Sequence, residues 1–160
     1  MDKIDLKILR CIQNDASLSI SAIASKVSLS TSPCWNRIQR LEASGVIRKR
    51  VALLDSRALN VGVTAFVSVR TSNHNANWAE SFSEAVQQFP EVVEFYRMSG
   101  DVDYLLRVVV PDIAAYDDFY KRLIEEVDLQ DVSSSFAMEE LKFTTALPLD
   151  YVSHTDNLPD

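Results

Sequence analysis

The spacing of apolar residues changes character about one third of the way along the chain. Residues 2–45 contain three stretches in which apolar side chains recur at three and four positions, whereas residues 62–147 alternate short runs of β-forming residues with helical stretches. The 160 residues are 47% hydrophobic, which is too high and too evenly spread for a disordered chain. This change of period predicts a folded protein built from two small units.

The first unit is expected to be helical. The periodicity predicts helices over 2–14 and 20–27, the second capped by Ser19, and a third that starts at Ser30 or Thr31 and ends at Gly45. The following segment, 46–54, has a basic middle and predicts two short strands or one bent strand. Three helices followed by a basic hairpin are typical of a winged helix-turn-helix, whose third helix lies in the major groove of DNA.

The second unit has the order βαββαβ. Strand-like runs at 64–69, 92–98, 104–110 and 132–138 are separated by helical patterns over 78–89 and 113–127, and a fifth short strand is possible at 143–147. This order predicts a ferredoxin-like domain. The fold class is therefore α+β, with domain 1–50, a linker or hinge strand at 51–61, a second domain at 62–150 and a frayed tail at 151–160.

Charge divides the chain in the same way. Residues 1–60 hold ten basic and five acidic residues, a balance of +5, and the other 100 hold six basic and 18 acidic residues, a balance of -12. A basic unit suits a polyanionic partner, although a chance asymmetry explains the charge alone equally well. The motifs must decide between these interpretations.

The third helix has a polar outer face once Cys34, Ile38 and Leu41 point inward. Asn and Gln suit adenine edges, Arg suits guanine or phosphate, and a helix start rich in hydroxyls suits phosphate. The alternative is a three-helix interaction domain with a solvated polar face, and the Trp35 ring could pack at the domain edge instead of contacting DNA. The residues predicted to bind double-stranded DNA are Ser30, Thr31, Ser32, Trp35, Asn36, Arg37, Gln39 and Arg40 on the helix and Arg48, Lys49 and Arg50 on the wing.

Several classes of protein are disfavoured. No apolar run approaches the roughly 20 residues that span a bilayer, and acidic residues stand where a secretory signal needs basic ones, so we expect a cytoplasmic protein without membrane contact. Two cysteines and two distant histidines, His74 and His154, predict neither a disulfide framework nor a metal site. No nucleophile, metal ligands or phosphate loop stand near Asp101 and Asp103, and no paired acid–base constellation is present, so no cofactor and no enzymatic activity are expected.

Both halves resemble one known family. The first resembles the DNA-binding half of the Lrp/AsnC, or feast/famine, regulators through Asp2-Lys3-Ile4-Asp5, Ser32-Pro33-Cys34-Trp35-Asn36-Arg37 and Gly45-Val46-Ile47, although Ser28 stands where the family often has glycine. The second resembles its amino-acid-sensing half through Gly100-Asp101-Val102-Asp103, a Gly-x-x-Asp turn, and Phe136-Ala137-Met138-Glu139. Pro33-Cys34-Trp35 and Ser134-Ser135-Phe136 look most like the cysteine-responsive branch.

The resemblance implies a sensing domain that dimerises through its sheet, dimers that assemble into octamers, and a small amino acid bound between subunits. The first candidate for this amino-acid effector is cysteine, followed by methionine or leucine. Asp103 is expected to accept a hydrogen bond from the ammonium group of the effector. Asp101 and Asp103 could instead be ordinary turn residues beside Gly100. The rival functions are an assembly protein that does not bind DNA and a small metabolic enzyme on a ferredoxin-like domain. The implied effector-binding residues are Met98, Gly100, Val102, Asp103 and Tyr104, facing Ser133, Ser134, Ser135 and Phe136.

Overall fold

The computed structural model of this chain describes residues 1–72, 75–127, 129 and 131–152. The chain forms two compact units. The first combines Met1–Leu53 with the described part of the C-terminal segment from Lys142, and the second is Leu54–Leu141. The predicted α+β fold class is confirmed, with the helix-turn-helix in the first unit and the ferredoxin-like sheet in the second.

The first unit is built on three helices: α1 (Lys3–Asn14), α2 (Ile20–Lys26) and α3 (Thr31–Ala43). Asp2 caps α1 in a reciprocal capping box with Asp5, and the Ser19 hydroxyl caps α2 as predicted. Cys34 and Ile38 are buried against the apolar stripes of α1 and α2. Their common core fixes α3 with its opposite face outward.

Ser28 makes the turn between α2 and α3. Its φ is 59°, in the left-handed region that favours glycine. The Leu29 N–H donates to the Ala24 carbonyl at 2.9 Å, and the Ser28 N–H donates to that of Ser25 at 3.4 Å. These bonds form the Schellman motif that ends a helix, here with serine in the glycine position.

The wing segment differs from the prediction. Residues 46–54 are not a strand in the structure, although their composition favours one. A strand needs a backbone partner, and no ladder joins these residues to another strand within the described chain. Val51, Leu53 and Leu54 are consequently exposed.

The second unit is an antiparallel sheet of β1 (Val63–Arg70), β2 (Val92–Arg97), β3 (Tyr104–Val110) and β4 (Asp131–Phe136), in the order β2-β3-β1-β4. Helices α4 (Ala76–Gln87) and α5 (Ile113–Glu126) contribute Phe82 and Phe119 to a core that covers one face of this sheet. Ala65, Val67 and Val69 alternate toward that core. The other face carries Phe66 and its neighbours and has no layer of this unit over it.

The C-terminal segment also differs from the prediction. Residues 143–147 are not a strand, and the residues from Lys142 pack with the first unit. Leu149, the first residue of a 3-10 helix at Leu149–Tyr151, and Val152, which follows that helix, pack against the first unit's core. The part of the predicted tail up to 152 is therefore ordered, and 153–160 lie outside the described residues.

Candidate functional site

The outward face of α3 presents the polar residues that the sequence predicted there. Ser32, Asn36 and Gln39 are exposed, and the Trp35 side chain is 48% exposed on the same side. The Ser30 hydroxyl makes no capping bond to the helix, although Ser30 occupies the N-cap position. Ser30 and Thr31 are therefore exposed at the start of α3 with hydroxyl donors for a phosphate.

The two arginines of α3 contact acidic residues of α1, which the sequence analysis did not anticipate. Arg37 Nη1 lies 2.5 Å from Asp2 Oδ2 and 2.8 Å from Asp5 Oδ1. Arg40 Nη2 lies 2.9 Å from Asp5 Oδ2 and 3.1 Å from Asp5 Oδ1. Both arginines stay predicted DNA-binding residues, and the structure adds their ion pairs with Asp2 and Asp5 at the start of α1.

Arg37 is the more deeply engaged of the two arginines. Its side chain is 26% exposed, and the hydrogen bonds that it donates to Asp2 and Asp5 raise its pKa. Burial opposes ionisation of Asp2, but hydrogen bonds from the Asp5 N–H and from Arg37 outweigh it and lower the pKa of Asp2. Both partners are therefore held in their charged forms.

The wing bases divide into two kinds. Arg50 is paired with Glu42 at 2.7 Å, and the other Glu42 oxygen accepts from Gln39 at 2.9 Å. Arg48 and Lys49 are exposed and make no ion pair with any described residue. These two residues supply uncompensated positive charge next to α3 in sequence.

Cys34 is a core residue, as the sequence predicted. Its side chain is fully buried, and loss of solvent raises the pKa of the thiol. A raised pKa lowers the thiolate fraction at neutral pH, which makes the sulfur unreactive.

The Gly-x-x-Asp turn is tied to the end of β1 by Asp103. The Asp103 carboxylate accepts from the Thr71 N–H at 2.8 Å, and the Asp103 N–H donates to the Val69 carbonyl at 3.0 Å. The Met98 N–H closes the turn by donating to the Asp103 carbonyl at 2.8 Å. Gly100 has a φ of 111°, which only glycine adopts easily. Asp103 thus has the structural turn role that was one of its two predicted interpretations.

The β4 residues point to both faces of the sheet. Ser133 and Ser135 are exposed, whereas the Ser134 hydroxyl is hydrogen-bonded to the Tyr116 hydroxyl of α5. The Phe136 ring contacts the Tyr116 ring edge to face, with centroids 4.9 Å apart. Tyr116 therefore supports two of the four predicted effector residues on this strand, and the sequence analysis did not identify it.

Tyr104 does not fit its predicted role. Its side chain is 9% exposed and packs in an aromatic cluster with Trp78, Phe82 and Phe95. The inward position follows from the alternation of β3, in which Tyr104 shares a face with Leu106. Its ring is a core component and not an exposed ligand group.

The two predicted halves of the effector site lie on opposite sides of β1. Tyr104, which ends the turn, pairs with Val69, and Ser133 pairs with Ser68 of the same strand. Two strand spacings correspond to roughly 10 Å. Met98, Gly100 and Val102 lie between β2 and β3 in the chain, and β1 separates β3 from β4 in the sheet.

Long-range contacts explain which residues the sequence analysis missed. Asp5 did carry a signal, because it precedes Ile8, Leu9 and Ile12 by three, four and seven positions and thus lies on the apolar stripe of α1. A carboxylate on such a stripe implies a buried partner. The bond between Arg10 and Asp150 joins residues 140 positions apart and has no local signal.

Among the described residues, no helix has both the length and the apolar composition that crossing a bilayer requires. Within the same ranges, no cluster of three histidine, cysteine, aspartate or glutamate residues has the arrangement of a metal site. His74 and His154 lie outside the described residues.

These features define a class of protein in which a helix-turn-helix DNA-binding unit and a ferredoxin-like ligand-binding unit share one chain. Residues 1–48 match the family model of winged helix-turn-helix DNA-binding domains, and residues 64–147 match that of the Lrp/AsnC ligand binding domain. The chain belongs to the Lrp/AsnC family of transcriptional regulators, as its motifs indicated.

Known relatives are similar in sequence along nearly the whole length of this chain. The DNA-binding transcriptional activator DecR of Escherichia coli K12 is 49% identical over 151 residues, which cover 94% of this chain and 99% of that protein. The glutamate uptake regulatory protein of Zymomonas mobilis is 47% identical over 149 residues, 93% of this chain and 91% of that protein.

Solved structures are similar as well. A crystal structure of an AsnC family transcriptional regulator from Agrobacterium tumefaciens has 63% identity and a TM-score of 0.93, and the match covers 96% of this chain and all of that one. A crystal structure of a transcriptional regulator of Neisseria meningitidis in complex with L-methionine has 36% identity and a TM-score of 0.90. The match covers 94% of this chain and 97% of that one.

Proposed function

We propose that this chain is a cytoplasmic regulator that binds double-stranded DNA through α3 and the wing and whose activity is set by a small amino acid. The observation that carries the DNA-binding part is the exposed face of Ser32, Trp35, Asn36 and Gln39 on a helix whose other side is packed into the core. Side-chain amides and hydroxyls on such a face match base edges in the major groove. Arg48 and Lys49 add attraction to phosphates.

The wing is tested by changing Arg48, Lys49 and Arg50 together to alanine. Since phosphate contacts carry no sequence information, affinity is expected to fall by a similar factor for every duplex, and the slope of log affinity against log salt becomes shallower by up to about 2.7. Fluorescence anisotropy with two unrelated 30-base-pair duplexes across a salt series measures both effects.

The matched control for the wing variant removes three bases from the second unit: Arg70, Arg97 and Lys121 changed to alanine. It keeps the same net charge as the wing variant, and its salt slope is expected to equal that of the parent. Equal slopes for the wing variant and the parent, with both folded by circular dichroism, would refute the wing assignment. A parent that binds neither duplex at low salt would instead favour an assembly protein without DNA contact.

We propose further that the effector is cysteine, with methionine and leucine as the next candidates, bound between subunits of a dimer that assembles to an octamer. The Met98–Asp103 turn would contribute from one subunit and Ser133, Ser135 and Phe136 from another. The separation of these groups by β1 within one chain supports a site shared between chains. Named homologues that regulate transcription support a binding role over an enzymatic one.

Asp103→Asn tests the effector site. The asparagine side-chain oxygen still accepts from the Thr71 N–H, so the change removes mainly the negative charge that an ammonium group needs. Titration calorimetry is expected to show amino-acid binding weakened by about 1.5–3 kcal/mol, the range for a hydrogen bond to a charged group. Asp101→Asn, in the same turn but exposed, is the matched control and should bind as the parent does.

An Asp103→Asn variant that binds cysteine, methionine and leucine as tightly as the parent would show that Asp103 is only a turn residue. DNA affinity measured without effector is expected to stay unchanged, because the substitution lies in the other unit.

A further inference from the structure

Asp5 is a buried carboxylate that joins the first helix to the DNA-facing one. Its side chain is 1% exposed, and it receives Arg37 and Arg40 from α3 as well as the Asp2 N–H at 3.1 Å. A charge in this position requires ionic and hydrogen-bonding partners, because burial removes its hydration. The two guanidinium groups provide these partners.

The two arginines are held differently. Arg37 is shared between Asp2 and Asp5 and is largely enclosed. Arg40 is bound through one nitrogen, Nη2, to both Asp5 oxygens, and its side chain remains 63% exposed. A guanidinium has five N–H donors in a rigid plane, so Arg40 keeps donors directed away from Asp5 while its orientation is fixed.

We propose that Asp5 is a positioning residue for DNA recognition: it holds the Arg40 guanidinium ready for a base or phosphate, whereas Arg37 only fastens α3 to α1. This inference rests on the proposed DNA-binding function of α3. A long side chain that is ordered before binding loses less entropy in the complex, which favours the correct sequence. The Asp5 charge at the same time reduces unspecific attraction to the polyanion.

The test uses the full chain and two duplexes: one selected by the parent from a random 30-base-pair library and one of equal composition that was not selected. In Asp5→Asn, the selected-to-unselected affinity ratio is expected to fall roughly tenfold, the order of one lost base contact. Affinity for the unselected duplex should be kept or raised, because a negative charge has been removed. A purely structural role of Asp5 would lower both affinities in parallel.

The arginines provide the matched pair. Arg40→Gln is expected to lower the ratio about as much as Asp5→Asn, and the double variant should be no worse than either single one, since Asp5 acts through Arg40. Arg37→Gln is expected to lower the melting temperature, because it removes the ion pairs of Arg37 with Asp2 and Asp5.

Two results would overturn the inference: an unchanged ratio in Asp5→Asn, or additive losses in the double variant. If Asp5→Asn does not fold, Arg40→Lys decides, because lysine keeps the charge but lacks the guanidinium plane. An unchanged ratio there refutes the inference, and a tenfold loss at an unchanged salt slope supports it. Failure of the DNA-binding proposal itself would appear separately, as a parent that selects no duplex.

Discussion

At the scale of single residues, Ser28 has the backbone conformation that its side chain suits least. A residue with a Cβ atom in the left-handed region is disfavoured by about 1–2 kcal/mol. The two backbone bonds of the Schellman motif hold it there, because they end α2 and aim the chain into α3. Gly45 has the same left-handed backbone after α3, with a φ of 74°, and is the residue type that this position favours.

Ser28→Gly is expected to raise the free energy of unfolding by about 0.5–1 kcal/mol, since relief of the left-handed backbone exceeds the extra entropy of glycine in the unfolded chain. Urea unfolding followed by circular dichroism measures the change. Ser25→Gly is the control, because Ser25 is exposed inside α2 and glycine there should destabilise the protein by a similar amount. Destabilisation by Ser28→Gly would contradict this account of the turn.

At the scale of elements, local pattern predicted the helices and the sheet strands to within a few residues. Period and caps are local properties, and α1 to α5 and β1 to β4 each bury the stripe or face that their spacing marks. The segments 46–54 and 143–147 have strand-like composition but no partner strand in the described chain. Composition alone could not reveal this difference, because pairing is a long-range property.

In the candidate sites too, the local features were predictable from the sequence and the long-range contacts were not. The exposed face of α3 was predictable from the inward spacing of Cys34, Ile38 and Leu41. The ion pairs of Arg37 and Arg40 were not, because their partners are about 35 positions away. The inward position of Tyr104 was available from the alternation of β3, but the family resemblance pointed instead to a ligand role.

The C-terminal segment is an element that only the structure shows. Gln13 exchanges two hydrogen bonds with the Leu147 backbone, at 3.1 and 3.2 Å, and Arg10 pairs with Asp150 on the surface. Leu149 packs against the core of the helices. The segment that follows the predicted effector strand therefore ends on α1 of the DNA-binding unit.

Leu149→Ala is expected to destabilise the first unit by about 1–2 kcal/mol, because it removes part of an apolar contact that is not fully buried. Asp150→Asn should have no measurable effect, since exposed ion pairs contribute little. Hydrogen exchange read by mass spectrometry separates the α1 amides from those of β1. Equal protection of α1 in Leu149→Ala and in the parent would show that the segment does not stabilise the helices.

At the scale of the whole molecule, much of the positive charge in the first 60 residues is neutralised by ion pairs. Arg10, Arg37, Arg40 and Arg50 all contact carboxylates, which leaves the effective charge of the wing to Arg48 and Lys49. Asp2, Asp5 and Glu42 are already counted in the balance of +5, so their pairs decide where the positive charge is exposed and do not change the net charge. The DNA affinity of each chain is therefore expected to depend only modestly on salt concentration. Several chains that bind one DNA together would increase this dependence.

The uncovered face of the sheet leads to a prediction about assembly. Phe66 is 39% exposed and Tyr96 is 51% exposed on the face opposite the helices, where the Arg107 and Glu94 pair also lies. An apolar face of a sheet is normally buried against another layer, and a second copy of this chain would cover this one in a symmetric dimer. Size-exclusion chromatography with light scattering is therefore expected to find a dimer or larger species at micromolar concentration.

Phe66→Arg should shift that distribution toward monomer, because it places a charge without a partner inside the interface. Ile113→Arg is the control: Ile113 is also apolar and is 58% exposed, but it begins α5, which packs on the covered side of the sheet. Circular dichroism must first show that both variants are folded. If Phe66→Arg is then monomeric while Ile113→Arg remains a dimer or larger species, the interface is formed by the sheet. If only Ile113→Arg dissociates, the interface lies elsewhere. If the parent is already monomeric, the prediction of an interface is wrong.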